Sequence, residues 1–140
     1  MWRGLLIALV VAGCHTPLPP SPHEIQAKRF EPVADKSVIY VMRDFPDADL
    51  PATIVLGDSA SITTYPGTFF RWEVAPGRHR IRGMAADTGA ITLETGPGRV
   101  YYVQQTVNPF LGYASSYFRP VAEGQGRAVV MRGQLVPGAQ

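Results

Sequence analysis

Thr68-Phe69-Phe70-Arg71-Trp72-Glu73-Val74 and Arg78-His79-Arg80-Ile81-Arg82-Gly83-Met84, separated by Ala75-Pro76-Gly77, decide the fold class. Both runs mix aromatic or β-branched residues with charged ones at a period of two, the signature of strands with one buried face. Pro76-Gly77 supplies the residues a type II turn wants at its two central positions. A two-residue turn there pairs Ala75 with Arg78, Val74 with His79, Trp72 with Ile81 and Phe70 with Gly83. That register makes one apolar face, with the Phe70 ring over a bare glycine. The opposite face then carries Arg71, Glu73, Arg80 and Arg82, with Glu73 across from Arg80. This arginine-rich ridge is either an anion or polysaccharide contact or a solvated face, and the solvated face is the commoner case. Exposed ion pairs contribute only about 0.2–1 kcal/mol.

Working outward, the same alternation of short apolar runs with Gly and Pro continues from Ser37 to the end of the chain. No stretch keeps a 3.6-residue apolar period for three turns. Further strands are expected over 37–43, 52–56, 59–64, 90–95, 99–107, 113–121 and 127–133, beside 68–74 and 78–84. Gly57-Asp58 marks a short hairpin between two of them. The predicted architecture is all-β: an antiparallel immunoglobulin-like or transthyretin-like β-sandwich of about 7–9 strands over residues 34–136.

Upstream, His15 to Val33 holds Pro17, Pro19, Pro20, Pro22 and Pro32 and reads as an extended tether reaching roughly 60 Å. Before it stand Arg3, an apolar run from Leu5 to Ala12, and Val11-Ala12-Gly13-Cys14. The run is far shorter than the roughly 20 residues a transmembrane helix needs, but it suits the apolar segment of a signal peptide. Small residues before the chain's single cysteine fit cleavage with lipid attachment at Cys14. A lone buried thiol is the plainer alternative. The expected organisation is therefore a lipoprotein signal peptide over 1–13, an acylated Cys14 with its Pro-rich linker over 14–33, and one domain over 34–136. His15 follows the cysteine where an inner-membrane retention signal would place an acidic residue, so the expected location is the outer membrane, facing the periplasm.

Thirteen basic and eleven acidic residues give a formal charge of +2, and the basic ones are scattered. Nucleic acid is not an expected partner. His15 and His23 fall in the linker, which leaves His79 as the histidine available for chemistry inside the fold. Ser59, Ser61, Ser115 and Ser116 sit in no nucleophile-elbow pattern. No Cys or His cluster suits zinc, and Asp44, Asp47 and Asp49 lack the glycine and distal glutamate of a calcium loop. Gly96-Pro97-Gly98 and Gly124-Gln125-Gly126 lead into expected strands and read as turns. No cofactor, metal site or catalytic residue is expected. Asn108-Pro109-Phe110-Leu111-Gly112-Tyr113, followed by Tyr117 and Phe118, is read as a loop that plugs the open end of the sandwich. The alternative is an exposed apolar contact patch.

Three segments are similar to the bacterial family called domain of unknown function 2846: Ala34-Asp35-Lys36-Ser37-Val38-Ile39-Tyr40-Val41, Val74-Ala75-Pro76-Gly77-Arg78-His79 and Gly98-Arg99-Val100-Tyr101-Tyr102-Val103. The resemblance spans roughly 34–133 and implies a compact β domain in the envelope, with no catalytic residues to carry over. Gly98 to Tyr101 also resembles the tyrosine corner of immunoglobulin-like sandwiches. The expected function is a lipid-anchored, non-enzymatic binding or structural module, held to a membrane and facing an envelope protein or cell-wall glycan. Candidate contact residues are Arg71, Arg80, Arg82, Phe110, Leu111, Tyr113, Tyr117 and Phe118. Peptidoglycan or polysaccharide binding is the alternative, and a hydrolase built on His79 is a further rival.

Overall fold

The computed structural model describes residues 18–58, 60–84, 89–110 and 113–136. In chain order these form α1 (Pro22–Ala27), β1 (Ser37–Arg43), β2 (Ala52–Leu56), β3 (Ala60–Thr64), β4 (Thr68–Val74), β5 (Gly77–Gly83) and β6 (Ala90–Thr95). They continue as β7 (Arg99–Phe110), β8 (Tyr113–Pro120), α2 (Glu123–Arg132) and β9 (Gln134–Leu135). The strands build an all-β sandwich from one sheet ordered β8-β7-β1-β4-β9 and another ordered β3-β2-β5-β6. The larger sheet is mixed rather than purely antiparallel, because β1 runs parallel to β7 and β9 parallel to β4.

Ser37-Val38-Ile39-Tyr40-Val41-Met42-Arg43 is buried along its whole length, and its position explains its composition. A central strand covered on both faces reads as a continuous apolar run instead of an alternating one. Val38, Tyr40 and Met42 point to one side, where they meet Ala27, Phe30, Phe69, Tyr102, Val129 and Val130. Ile39 and Val41 point to the other, where they pack with Ile54, Leu56, Val74, Ile81 and Val103 between the sheets. The sandwich therefore carries a third layer, made of the two helices, on the outer face of the larger sheet.

The turn at Pro76-Gly77 does not make the expected hairpin. β4 pairs with β1 (Trp72 opposite Ile39), whereas β5 pairs with β2 and β6 (Ile81 opposite Leu56 and Ile91). Gly77 takes φ 143°, a conformation open to glycine, and there the chain leaves one sheet for the other. The apolar faces assigned to the two runs do meet, but across the sandwich instead of side by side. The Gly57-Asp58 hairpin forms as expected, with Ile54 opposite Ile62 and Gly57 at φ 57°.

Two segments fold as helices where the sequence reads otherwise. Within the expected linker, Ser21 caps α1 by accepting the Glu24 N–H at 3.1 Å, and Pro22 opens the first turn. Proline is pre-set for that position, and such a cap is worth about 1 kcal/mol. Glu24 then bonds Lys28 at 2.9 Å and accepts the Leu135 N–H at 3.2 Å. Ala27 and Phe30 are buried, so the packed body begins with α1 and not at Ala34. Phe30 holds a left-handed φ of 56° while its ring lies 5.5 Å from that of Tyr40 and 6.2 Å from that of Tyr102. The expected strand over 127–133 is instead most of α2. Glu123 pairs with Arg127 at 2.6 Å, and Gly126, Val129 and Val130 form its buried stripe.

Candidate functional site

The structure separates the expected arginine ridge into two surfaces. Arg71 lies on the helix side of the larger sheet, donating to Glu73 at 2.6 Å and to the Glu31 carbonyl at 3.2 Å. Arg80 and Arg82 are exposed on the outer side of β5, opposite Thr92 and Ala90 of β6. Glu73 is thus the partner of Arg71 and does not face Arg80. Between the two surfaces, at the open side of the sandwich, a cleft of about 600 Å³ is lined by Gly57, Trp72, Glu73, His79, Arg80 and Arg82, among others. The Trp72 ring stands edge-on to His79 at 5.4 Å, and a Cβ on Gly57 would sit 3.6 Å from the indole. His79 Nε2 donates to the Ala75 carbonyl at 2.6 Å, the arrangement of a histidine that braces a turn. Sequence reasoning missed Trp72 as a cleft wall, because the assumed hairpin placed it in a sheet interior.

The aromatic candidates lie on the far edge of the larger sheet. β4 and β8 are three strand spacings apart, about 14 Å. Arg71 is therefore not joined to Tyr113 or Tyr117. Phe110 pairs with Tyr113 at the end of a long β7–β8 ladder, so 108–110 and 113 are strand, not a folded-back loop. Leu111 lies outside the described residues. Tyr113 is 60% exposed, which contradicts the plug for this ring, and Tyr117 is 49% exposed. Phe118 is half-buried against the core between the sheets and is no surface residue. Tyr113, Tyr117 and Arg119 share the other face of β8 by its alternation. The tyrosine-corner resemblance has a counterpart, since the Tyr101 hydroxyl accepts the Gly96 N–H at 2.8 Å.

The acidic loop after β1 is occupied by arginines. Arg43, with a side chain 0% exposed, donates to Asp47 at 2.5 Å, to the Leu50 carbonyl at 2.5 Å, to the Thr64 carbonyl at 3.1 Å, and to the Ala48 carbonyl. Both Asp47 oxygens also accept the Val107 N–H at 3.1 Å, tying the loop to β7. Asp44 takes two bonds from Arg132, at 2.9 and 2.6 Å. Those bonds hold the Asp44 carboxyl below its usual range, against a smaller opposing effect of burial, and the Phe45 N–H adds to the lowering. A buried chain of Thr64, Gln105 and Ser116 lies beside this clamp, with links of 2.8 and 2.9 Å. An arginine closing an apolar run just before an acidic loop is the signal that could have found it.

Burial raises the pKa of the Tyr40 hydroxyl, which donates to the Ala27 carbonyl at 2.6 Å, and that of Tyr102. The Tyr40 hydroxyl ties β1 to α1, the Tyr102 hydroxyl on β7 accepts from Arg127 of α2 at 3.4 Å, and both residues are buried. Cys14 and the leader lie outside the described residues. No protein-family model matches the chain, and the search of curated proteins gives no significant match.

Proposed function

We propose that the chain is a lipid-anchored protein of the bacterial envelope that works as a non-enzymatic binding or structural module. The anchor rests on the leader ending in Val11-Ala12-Gly13-Cys14, and an outer-membrane site facing the periplasm rests on His15. The observation that carries the module reading is the engagement of several polar side chains among the described residues in holding the fold. His79 braces the Ala75 carbonyl, Asp47 neutralises buried Arg43, Asp44 holds Arg132, and Gln105 bonds Ser116 between the sheets. None of these bonds joins a histidine to a serine or a carboxylate, the pairing on which nucleophilic catalysis relies. Arg80, Tyr113 and Tyr117 are left facing solvent. Crosslinking in intact cells, followed by identification of the attached species, tests this. Capture of a stable envelope component supports it, and turnover of a captured species by the purified chain refutes it.

A second reading, peptidoglycan or polysaccharide binding, is favoured by the exposed Tyr113 and Tyr117 rings next to Arg119 on one face of β8. Flat aromatic surfaces beside an arginine suit sugar rings bearing anionic groups. Retention on purified cell wall that survives Tyr113→Ala with Tyr117→Ala removes this reading. The likeness to domain of unknown function 2846 agrees with both, since it implies a compact envelope domain.

A further inference from the structure

We propose that the end of the sandwich at which β1 terminates rests on the lipid surface to which Cys14 ties the chain. The inference deepens the anchored-module reading above and rests on its lipid anchor. Strand register defines what gathers at that end. β1 stops at Arg43, where the loop carrying Phe45 and Leu50 begins, and the Gly67 N–H bonds the Arg43 carbonyl at 2.9 Å, which brings the turn with Tyr65 alongside. Arg132 holds Asp44, so Met131 in the last turn of α2 is there too. β7 and β8 run on past the pairing of Arg43 with Gln105 as far as Phe110 and Tyr113. Phe45, Leu50, Tyr65, Tyr113 and Met131 are all exposed, whereas no large apolar side chain among the described residues is exposed at the opposite end. The opposite end shows Asp35, Lys36, Arg78 and Glu94 on its surface instead.

The chain also enters the folded body at the apolar end. Glu24 of α1 accepts the Leu135 N–H, Leu135 pairs with Phe69, and Phe69 pairs with Met42, one residue short of the end of β1. From α1 the chain descends: Arg71 reaches the Glu31 carbonyl, and the Lys36 carbonyl accepts the Gly98 N–H at the far end. Because α1 opens at Pro22, only the seven residues 15–21 separate it from Cys14. Those eight residue steps span at most about 29 Å, whatever path they take. An acylated Cys14 therefore keeps this end near the bilayer. Such confinement gives an effective concentration on the order of millimolar, so contacts too weak to bind a free chain suffice. The chemistry of the end suits the headgroup zone. Tyr65 and Tyr113 join an apolar ring to a polar hydroxyl, the combination that settles at membrane interfaces. Of the loop's three carboxylates, Asp44 and Asp47 approach lipid already paired, with Arg132 and Arg43, which limits the cost of leaving bulk water. In this pose the end with Arg78 and Glu94 points away from the membrane.

The test uses the acylated chain, purified from membranes and reconstituted in vesicles of phosphatidylethanolamine and phosphatidylglycerol. Acylation consumes the chain's single thiol, so the cysteine introduced by Tyr65→Cys, Tyr113→Cys or Lys36→Cys is the one site open to a nitrobenzoxadiazole probe. At positions 65 and 113 the emission should strengthen and shift to the blue, and lipids spin-labelled near the headgroup should quench it. At position 36 it should match the probe in water. Adding Phe45→Ser and Leu50→Ser to Tyr113→Cys should cut the lipid-quenched fraction about ten-fold, with the circular dichroism spectrum unchanged. An aqueous signal at position 65 or 113 overturns the proposal, as does lipid quenching at position 36 equal to theirs. A blue shift without quenching by lipid also overturns it, because the end would then be covered by a second copy of the chain. The mass of the preparation separates the two possible failures. An unacylated mature chain removes the anchor and the docking together, whereas an acylated chain with aqueous probes at 65 and 113 removes the docking alone.

Discussion

Replacing Arg43 with methionine isolates the clamp that fixes the loop from Asp44 to Pro51. The guanidinium has no exposed surface and bonds one carboxylate and three carbonyls. Methionine fills a similar volume but leaves Asp47 charged and partly buried, and leaves the Thr64 carbonyl enclosed under the sheet. Phe45, Asp49 and Leu50 are exposed, so the loop can turn the Ala48 and Leu50 carbonyls to water and recover part of the loss. Removing one member of a buried pair costs about 3–5 kcal/mol, and this partial recovery places Arg43→Met near 3 kcal/mol. At a urea m-value near 1.5 kcal/mol/M, the unfolding midpoint should fall by about 2 M. Asp47→Asn keeps an acceptor for the Val107 N–H while removing the charge, so adding it to Arg43→Met should recover about 1 kcal/mol or more in a double-mutant cycle. Urea denaturation followed by circular dichroism on all four proteins measures both quantities. A single-variant loss below about 1 kcal/mol, or no coupling in the cycle, would refute the clamp as the determinant of this loop.

Gly126→Ala should destabilise the chain by about 1–3 kcal/mol in thermal unfolding, despite alanine's better helix propensity. Its Cβ would fall 2.4 Å from the Tyr102 ring, which is itself stacked on Tyr40 at 5.4 Å. Gly124→Ala meets nothing within 4 Å and should be neutral or stabilising by up to about 1 kcal/mol. A common outcome for the two variants would refute this packing of α2. Arg132 lowers the Asp44 pKa, so the pair's contribution is present above the unfolded carboxylate value of about 3.9 and lost as pH falls through the lower folded value. Asp44→Asn should therefore unfold earlier than the natural chain at pH 7 and converge with it near pH 2; urea midpoints that stay equally far apart would contradict this. The raised pKa of Tyr40 acts at the other end of the scale: its contribution is complete below about pH 10 and disappears as pH rises through the folded value. Tyr40→Phe should flatten the alkaline limb of a stability profile, and an unchanged limb would show that this hydroxyl does not govern it.

Strand periodicity was legible because β4, β5 and β6 each carry polar residues on one side and apolar ones on the other. The partners of β4 and β5 were not legible, whereas the Gly57-Asp58 turn did give β2 its neighbour β3. Alternation marks which side of a strand is buried, and Trp72 and Ile81 satisfy it equally well as neighbours in one sheet or as faces stacked across two. The decision rests on long-range competition: the buried run Val38–Met42 offers β4 a better neighbour than β5 does. The two helices escaped for local reasons. α1 spans six residues and opens on the very proline that suggested an extended tether, while the stripe of α2 includes Gly126, which carries no apolar side chain to count. Among the candidate contact residues, Tyr113 and Tyr117 are exposed, as the alternative of a contact patch required and the expected plug did not. Arg71 and Phe118 were absorbed by an ion pair and by the core, because the face each occupies follows from register.

The measurement closest to the centre of the account is mass spectrometry of the mature N-terminus, combined with metabolic labelling by a fatty-acid probe, for the natural chain and Cys14→Ser. The account predicts a mature chain that begins at an acylated Cys14 and fractionates with the outer membrane, and a variant that loses both label and membrane association. An unlabelled natural chain starting at another residue, or a Cys14→Ser protein that stays bound and labelled, would contradict it.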